Sequence, residues 1–163
     1  MNGVAHTLRA LYDGELDLER RLAAAAERHG GDHGIQYAAT DLARWSHDHR
    51  ARLARTGRLY GLDLPVPRVD GKPVVRHPVR DRAARVRARR PERGSGLLDD
   101  LLELHLAATR TSLHWEMLAR AAQAARDERL LELVITCRPR TLRQIQWTRT
   151  LLKELSPQLL TRD

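Results

Sequence analysis

The stretch LRALYDGELDLERRLAAA, residues 8–25, decides the fold. Its apolar positions, with one glutamate among them, recur at alternating spacings of three and four residues. That spacing is typical of a helix that buries one face in a bundle. The positions are Leu8, Leu11, Glu15, Leu18, Leu22 and Ala25. The stretch therefore predicts a long amphipathic helix with a carboxylate on its buried face.

Three more segments carry a helical pattern, so the sequence predicts four long helices. Asp32 is the predicted N-cap of the second helix, and Ser95 that of the third. Pro139 is predicted to kink or break the fourth helix, which Ser156 and Pro157 should end. The predicted helices cover residues of about 4–29, 33–60, 97–125 and 127–155.

The composition supports an all-α fold. Phe is absent and aromatic residues make up only 4% of the 163-residue chain. The apolar residues are mainly Leu and Ala, which favour helix over strand. We predict an antiparallel four-helix bundle that forms a single domain over residues 1–163.

The segment 61–96 separates the second helix from the third and is rich in Pro and Arg. It is too long for a bundle hairpin, so we interpret it as a long crossover between helices two and three. Residues 68–93 hold ten Arg or Lys and three Asp or Glu, which concentrates the chain's net charge of +8 in this crossover.

The basic crossover suggests a polyanion such as nucleic acid, because guanidinium groups match phosphate oxygens. It lacks the interleaved aromatic residues that stack on bases. The alternative is that its arginines cover acidic faces of the bundle itself. The candidate polyanion-binding residues are Arg80, Arg82, Arg85, Arg87, Arg89, Arg90 and Arg93.

The location of the protein is predicted from what the sequence lacks. It contains no apolar run of transmembrane length and no pattern of a secretion signal. Its single cysteine, Cys137, has no partner in the chain for a disulfide. We therefore expect a cytoplasmic protein with no membrane association.

Two helical hairpins joined by a long crossover resemble the ferritin-like superfamily, and in particular its rubrerythrin-like, stress-associated bundles. The resemblance implies a ferritin-like fold and a metal site of iron or manganese between the helices. It covers most of the chain outside 61–96. The resembling segments are LRALYDGELDLERRL (8–22), WSHDHRARL (45–53), LHWEMLARAAQ (113–123) and CRPRTLRQIQWTRTLLKEL (137–155).

The resemblance implies three metal ligands in this chain, which are Glu15, His49 and Glu116. Where the second helix of a di-iron bundle would carry a glutamate, this chain has Ser46. Where the fourth helix would carry a Glu-x-x-His pair, it offers Thr141, Gln144 and Trp147. The metal site is therefore interpreted as degenerate, and no cofactor is expected.

We predict a non-enzymatic structural or protein-interaction module that forms a homodimer. The third helix motivates the dimer, since it is apolar over a wide arc that includes Leu98, Leu102 and Leu106. Two alternatives stay open. One is a metal-binding or redox protein that uses Glu15, His49 and Glu116. The other is an accessory protein that binds nucleic acid, or an acidic protein, through the Arg-rich crossover.

Overall fold

A computed structural model describes residues 2–68 and 95–162 of the chain. These residues form four α-helices and contain no strand. We label the helices α1 (Gly3–Arg28), α2 (His33–Gly57), α3 (Ser95–Ala125) and α4 (Glu128–Leu160). A short 3₁₀ helix, Arg58–Tyr60, follows α2 directly. The all-α prediction is thus confirmed for the described ranges.

Short polar side chains cap three of the helices. Asn2 and Asp32 accept hydrogen bonds from the Ala5 and Ile35 backbone N–H groups, which lie three residues into α1 and α2. Asp127 accepts from two backbone N–H groups at the start of α4. Each cap satisfies a backbone donor that has no partner within its helix. The cap predicted at Asp32 is confirmed.

The fourth helix differs most from its prediction. It runs without a break through Pro139 and continues past Pro157 to Leu160, so the predicted end near residue 155 is wrong. Pro139 was predicted to kink or break the helix, and the continuous helix rules out the break. Proline removes one N–H donor, but a long helix retains its other hydrogen bonds and its packing. The second helix is shorter than predicted, because residues 58–60 form a tighter turn that ends at Gly61 with a φ of 79°.

Each helix packs against two others. Helix α1 contacts α2 and α3, and α4 contacts α3 and α2. Residue numbers rise on one helix as they fall on its neighbour: Glu15 lies against His49, and Glu19 against His47. Along the α2–α4 contact, Ser46 lies against Gln144, whereas Tyr60, just beyond α2, contacts Asp127.

The core has two apolar clusters with buried polar residues between them. The larger cluster holds Leu8 and Leu11 of α1, Trp115 of α3 and Cys137 of α4. The smaller cluster lies around Leu22, Leu42 and Leu104. Between these two clusters along the helices, polar side chains are buried. They include Glu15, Glu19, Ser46, His49, Arg50, Thr141 and Gln144. We call this set the polar layer.

The first residues of the crossover pack onto the bundle. Leu62 and Leu64 are buried in the larger apolar cluster. The Tyr12 hydroxyl donates a hydrogen bond to the Pro65 carbonyl at 2.6 Å. Among the helices that the structure describes, none is long and apolar enough to cross a membrane.

Candidate functional site

Glu15 is the centre of the polar layer. Its Oε1 accepts hydrogen bonds from the Trp115 indole N–H at 3.1 Å and from His49 Nδ1 at 3.0 Å. The imidazole also meets the indole edge to face, with ring centroids 6.1 Å apart. All three side chains have no exposed surface. One carboxylate oxygen therefore connects α1, α2 and α3 through buried hydrogen bonds.

Several polar atoms of the same layer have no hydrogen-bond partner among the residues that the structure describes. They are Glu15 Oε2, His49 Nε2 and Gln144 Oε1, all fully buried. The Gln144 amide N–H₂ donates to the Leu42 carbonyl and to the Ser46 hydroxyl, both at 3.0 Å. With Glu15 ionised, His49 donates from Nδ1, so its Nε2 presents a lone pair. These unpartnered atoms give the layer capacity for a further hydrogen bond or coordinate bond.

A second group of polar residues was missed in the sequence. Glu19 accepts from Arg50 Nε at 2.8 Å and from His47 Nδ1 at 2.6 Å. Arg50 also donates to the Tyr12 hydroxyl at 3.3 Å. Both partners of Glu19 lie on α2 and not on its own helix. No signal within one helix reveals such a pair, because the partners are about thirty residues apart in sequence.

His47 holds the beginning of the crossover in place. Its Nδ1 faces the Glu19 carboxylate and its Nε2 faces the Arg68 carbonyl, each at 2.6 Å. The His47 ring therefore bridges α1 and the beginning of the crossover. The ring of His47 is mostly covered and is bonded on both sides.

The three predicted metal ligands are not brought together. Glu15 and His49 are in contact, whereas Glu116 is half-buried on α3 one residue beyond Trp115. It is Trp115 that points at Glu15, and it offers a hydrogen-bond donor instead of a lone pair. In the described ranges, no group of three or more His, Cys, Asp or Glu is placed to hold a metal ion. The residues present therefore do not fit a di-iron centre.

Cys137 is a packed core residue of α4 and has no exposed surface. Burial, and after it the nearby Glu15 carboxylate, raises the pKa of the Cys137 thiol above its ordinary value. A protonated, enclosed thiol is a poor nucleophile and a poor metal ligand. In this environment Cys137 behaves as a small buried hydrophobe.

The outer face of α3 is the most apolar exposed surface among the helices described. Four large side chains lie on it with about half of their area exposed: Leu102 (48%), Leu106 (54%), Leu113 (55%) and Met117 (57%). Their spacings of four, seven and four residues keep them in one row along the helix. We call this row the α3 stripe. The adjacent helix α4 adds the exposed side chains of Ile135 and Leu142.

The candidate polyanion site, from Arg80 to Arg93, lies outside the described residues. Within the described residues, the carboxylate of Asp100 on α3 has two partners at the C-terminal end of α1. It accepts from Arg28 at 3.1 Å and from His29 at 2.8 Å.

Comparison of the chain with family models, curated proteins and solved structures finds no match. The functional argument for this protein therefore starts from its own residues.

Proposed function

We propose that this protein is a helical-bundle interaction module that works as a homodimer, and that the outer face of α3 is its contact surface. The α3 stripe carries the proposal. Soluble monomers rarely expose a continuous apolar patch, and such patches mark surfaces that become covered by a partner. Helix α3 is apolar on its buried face and again on the stripe. A helix of that kind is expected to be covered on both sides.

The polar layer supports a structural role for the bundle interior. The Glu15 carboxylate uses one oxygen to hold both His49 and Trp115, and all three residues are sealed from solvent. A substrate has no access to these groups without opening of the core. We infer that the layer fixes the relative position of α1, α2 and α3, and so keeps the outer face of α3 in a defined orientation.

The fold that we propose is an antiparallel bundle with ferritin-like connectivity. Residue pairs between neighbouring helices support it, since numbers rise on one helix as they fall on the other. Glu15 with His49 represents the first hairpin, His105 with Thr148 the second, and His29 with Asp100 the contact of α1 with α3. In this arrangement α2 and α3 run in the same direction, which requires the long crossover between them.

Sedimentation velocity on the full-length protein tests the dimer. We expect a species of twice the chain mass of 18.6 kDa at micromolar concentration. Leu106→Glu places a charge in the middle of the stripe and should return the protein to one chain mass. Leu59→Glu is the matched control, because Leu59 is 56% exposed but lies on the 3₁₀ helix after α2. A monomeric wild type would contradict the proposal.

Metal binding is the second candidate function, and the unpartnered atoms Glu15 Oε2 and His49 Nε2 favour it. A histidine held by a carboxylate through its other nitrogen is a common arrangement next to metal ions. Elemental analysis of the purified protein tests it. We expect no stoichiometric iron or manganese. One metal per chain that is lost in Glu15→Gln would establish this function instead.

The remaining parts of the proposal rest on the sequence. The cytoplasmic location follows from the single cysteine. Nucleic-acid binding through the crossover stays a prediction, and its test is an affinity that falls steeply with salt.

A further inference from the structure

The α3 stripe is symmetric about its own midpoint, and this deepens the proposed dimer, on which it rests. The midpoint lies between Thr109 and Arg110. Leu106 and Leu113 are equally distant from it on either side, and so are Leu102 and Met117. A row with such symmetry matches a second copy of itself that runs in the opposite direction. Each large side chain then meets another large side chain at the same height.

The charges beside the stripe follow the same symmetry with opposite sign. Asp99 and Arg120 are both exposed and lie equally far from the midpoint. In the antiparallel arrangement each Asp99 comes level with an Arg120 of the second copy. In a parallel arrangement each charged residue would meet its own copy, and like charges repel. Neither residue has an ion-pair partner among the residues that the structure describes.

We propose that two copies of this chain pack α3 against α3 in antiparallel orientation, about a two-fold axis that passes between Thr109 and Arg110. Leu106 contacts Leu113 of the second copy in the centre, and Leu102 contacts Met117 on either side. At each end of the row, Asp99 of one copy pairs with Arg120 of the other. The opposed helix dipoles favour the same orientation over the parallel one.

Cysteine pairing tests the register. Leu106→Cys and Leu113→Cys are made separately in a Cys137→Ala background, which removes the one natural cysteine. The proposed register brings these two positions together between copies, within the Cα separation of about 4.4–6.8 Å that a disulfide needs. Two copies of Leu106→Cys alone are instead offset by seven residues, or about 10 Å along the helix. We expect rapid disulfide formation in the mixture of the two variants and slow formation in either variant alone.

A parallel register predicts the reverse result, with fast crosslinking of each variant alone. That outcome, obtained with a dimeric protein, would overturn the register and leave the proposed dimer intact. A monomer in sedimentation would overturn both. A monomer whose stripe positions are also protected from thiol reagents would show that another part of the same chain covers the stripe.

Charge reversal gives an independent test of the same register. Asp99→Arg and Arg120→Asp each place like charges at the two ends of the row, so each should raise the dimer Kd about tenfold. The double variant restores opposite charges and should return the Kd to within about twofold of wild type. Additive weakening in the double variant would contradict the antiparallel pairing, because only residues that face each other compensate.

Discussion

Glu15 is the residue on which the interior of the bundle depends. Its Oε1 is the acceptor for the Trp115 indole and for His49, and both donors are fully buried. We expect Glu15→Ala to lower the free energy of unfolding by about 2–4 kcal/mol, since two buried donors lose their acceptor. Glu15→Gln retains an acceptor and should cost less. Urea unfolding followed by circular dichroism measures both.

Glu116 is the matched control for this prediction. It is the carboxylate that the ferritin-like resemblance paired with Glu15, but it is half-buried beside Trp115. Glu116→Ala should change the free energy of unfolding by less than about 1 kcal/mol. Equal losses from Glu15→Ala and Glu116→Ala would show that both carboxylates serve one site.

The buried thiol of Cys137 should make the protein less stable at alkaline pH. Burial raises the pKa of its thiol in the folded state. The contribution of the protonated thiol to the free energy of unfolding is therefore fully present below the pKa of an unfolded cysteine. It is lost as the pH rises above that value. We expect the free energy of unfolding to fall by about 1.4 kcal/mol for each pH unit above about 9.

Two measurements check the prediction for Cys137. Denaturant unfolding of wild type and Cys137→Ala is compared between pH 8 and pH 10. The free energy of unfolding should fall more over this range for wild type than for the variant, which has no thiol to ionise. A thiol reagent should label wild type slowly at pH 8 and rapidly in guanidinium. Rapid labelling of the folded protein would contradict the enclosed thiol.

At the scale of single helices, sequence rules overestimated how strongly proline disrupts α4. Pro139 and Pro157 both lie inside α4. A proline lacks the N–H that would bond to the carbonyl four residues earlier, but here the residue at that position is Ile135, which is 71% exposed. Ile135 lies on an exposed stretch of the helix, where water has access and can replace the missing donor. The cost is then small enough for the helix to continue.

Removal of Pro139 should therefore stabilise the protein. Pro139→Ala restores one helix hydrogen bond and is expected to raise the free energy of unfolding by about 1 kcal/mol or more. Pro157→Ala, only three residues before the end of α4, should have a smaller effect. Thermal and urea unfolding of the two variants compare them. Destabilisation by Pro139→Ala would mean that α4 packs only when proline shapes it.

The start of α4 is stabilised by a contact that links two elements. Asp127 caps α4 and also accepts a hydrogen bond from the Tyr60 hydroxyl of the 3₁₀ helix. This bond, together with the two backbone N–H donors, holds the pKa of Asp127 below its ordinary value. Burial and the same hydrogen bond raise the pKa of Tyr60 to about 12. The ionised carboxylate is therefore the form that the folded state favours.

A pH series tests this cap. The contribution of Asp127 is present above the pKa of an unfolded aspartate, near 3.8, and is lost as the pH falls through the lower folded value. At pH 7 we expect Asp127→Ala to cost about 1 kcal/mol. The gap between variant and wild type should narrow below about pH 4. A gap that stays constant down to pH 2 would show that the carboxylate charge has no part in the cap.

The four helices could be predicted from the sequence because a helix is specified by local spacing, as in Leu8, Leu11 and Leu18. The site could be predicted only in part. Glu15 and His49 lie on the buried faces of their own helices, so periodicity alone identifies them. Trp115 was not assigned to the site, because adjacent positions at the edge of a helical face, such as Trp115 and Glu116, are separated only by tertiary packing. The partners of Glu19 lie on α2, beyond any local signal.

On the scale of the whole molecule, a polar layer between two apolar clusters sets the interior, and an apolar stripe marks the outside. The interior is complete within one chain, apart from the unpartnered atoms around Glu15 and His49. The α3 stripe is not complete within one chain, because about half of the area of each large side chain on it is exposed to water. We therefore expect a second copy of the chain to cover α3.

The most direct test of that claim is the distance between two copies of α3, measured by pulsed electron paramagnetic resonance. A nitroxide label is attached at Arg110→Cys in the Cys137→Ala background, because Arg110 is exposed and lies next to the proposed axis. Helices in contact are about 8–10 Å apart, so the two labels should give one narrow and short distance. A label at Tyr37→Cys on α2, where the residue is 70% exposed, should give a longer distance. An Arg110→Cys sample with no measurable distance, or with one longer than that from Tyr37→Cys, would contradict a dimer formed through α3.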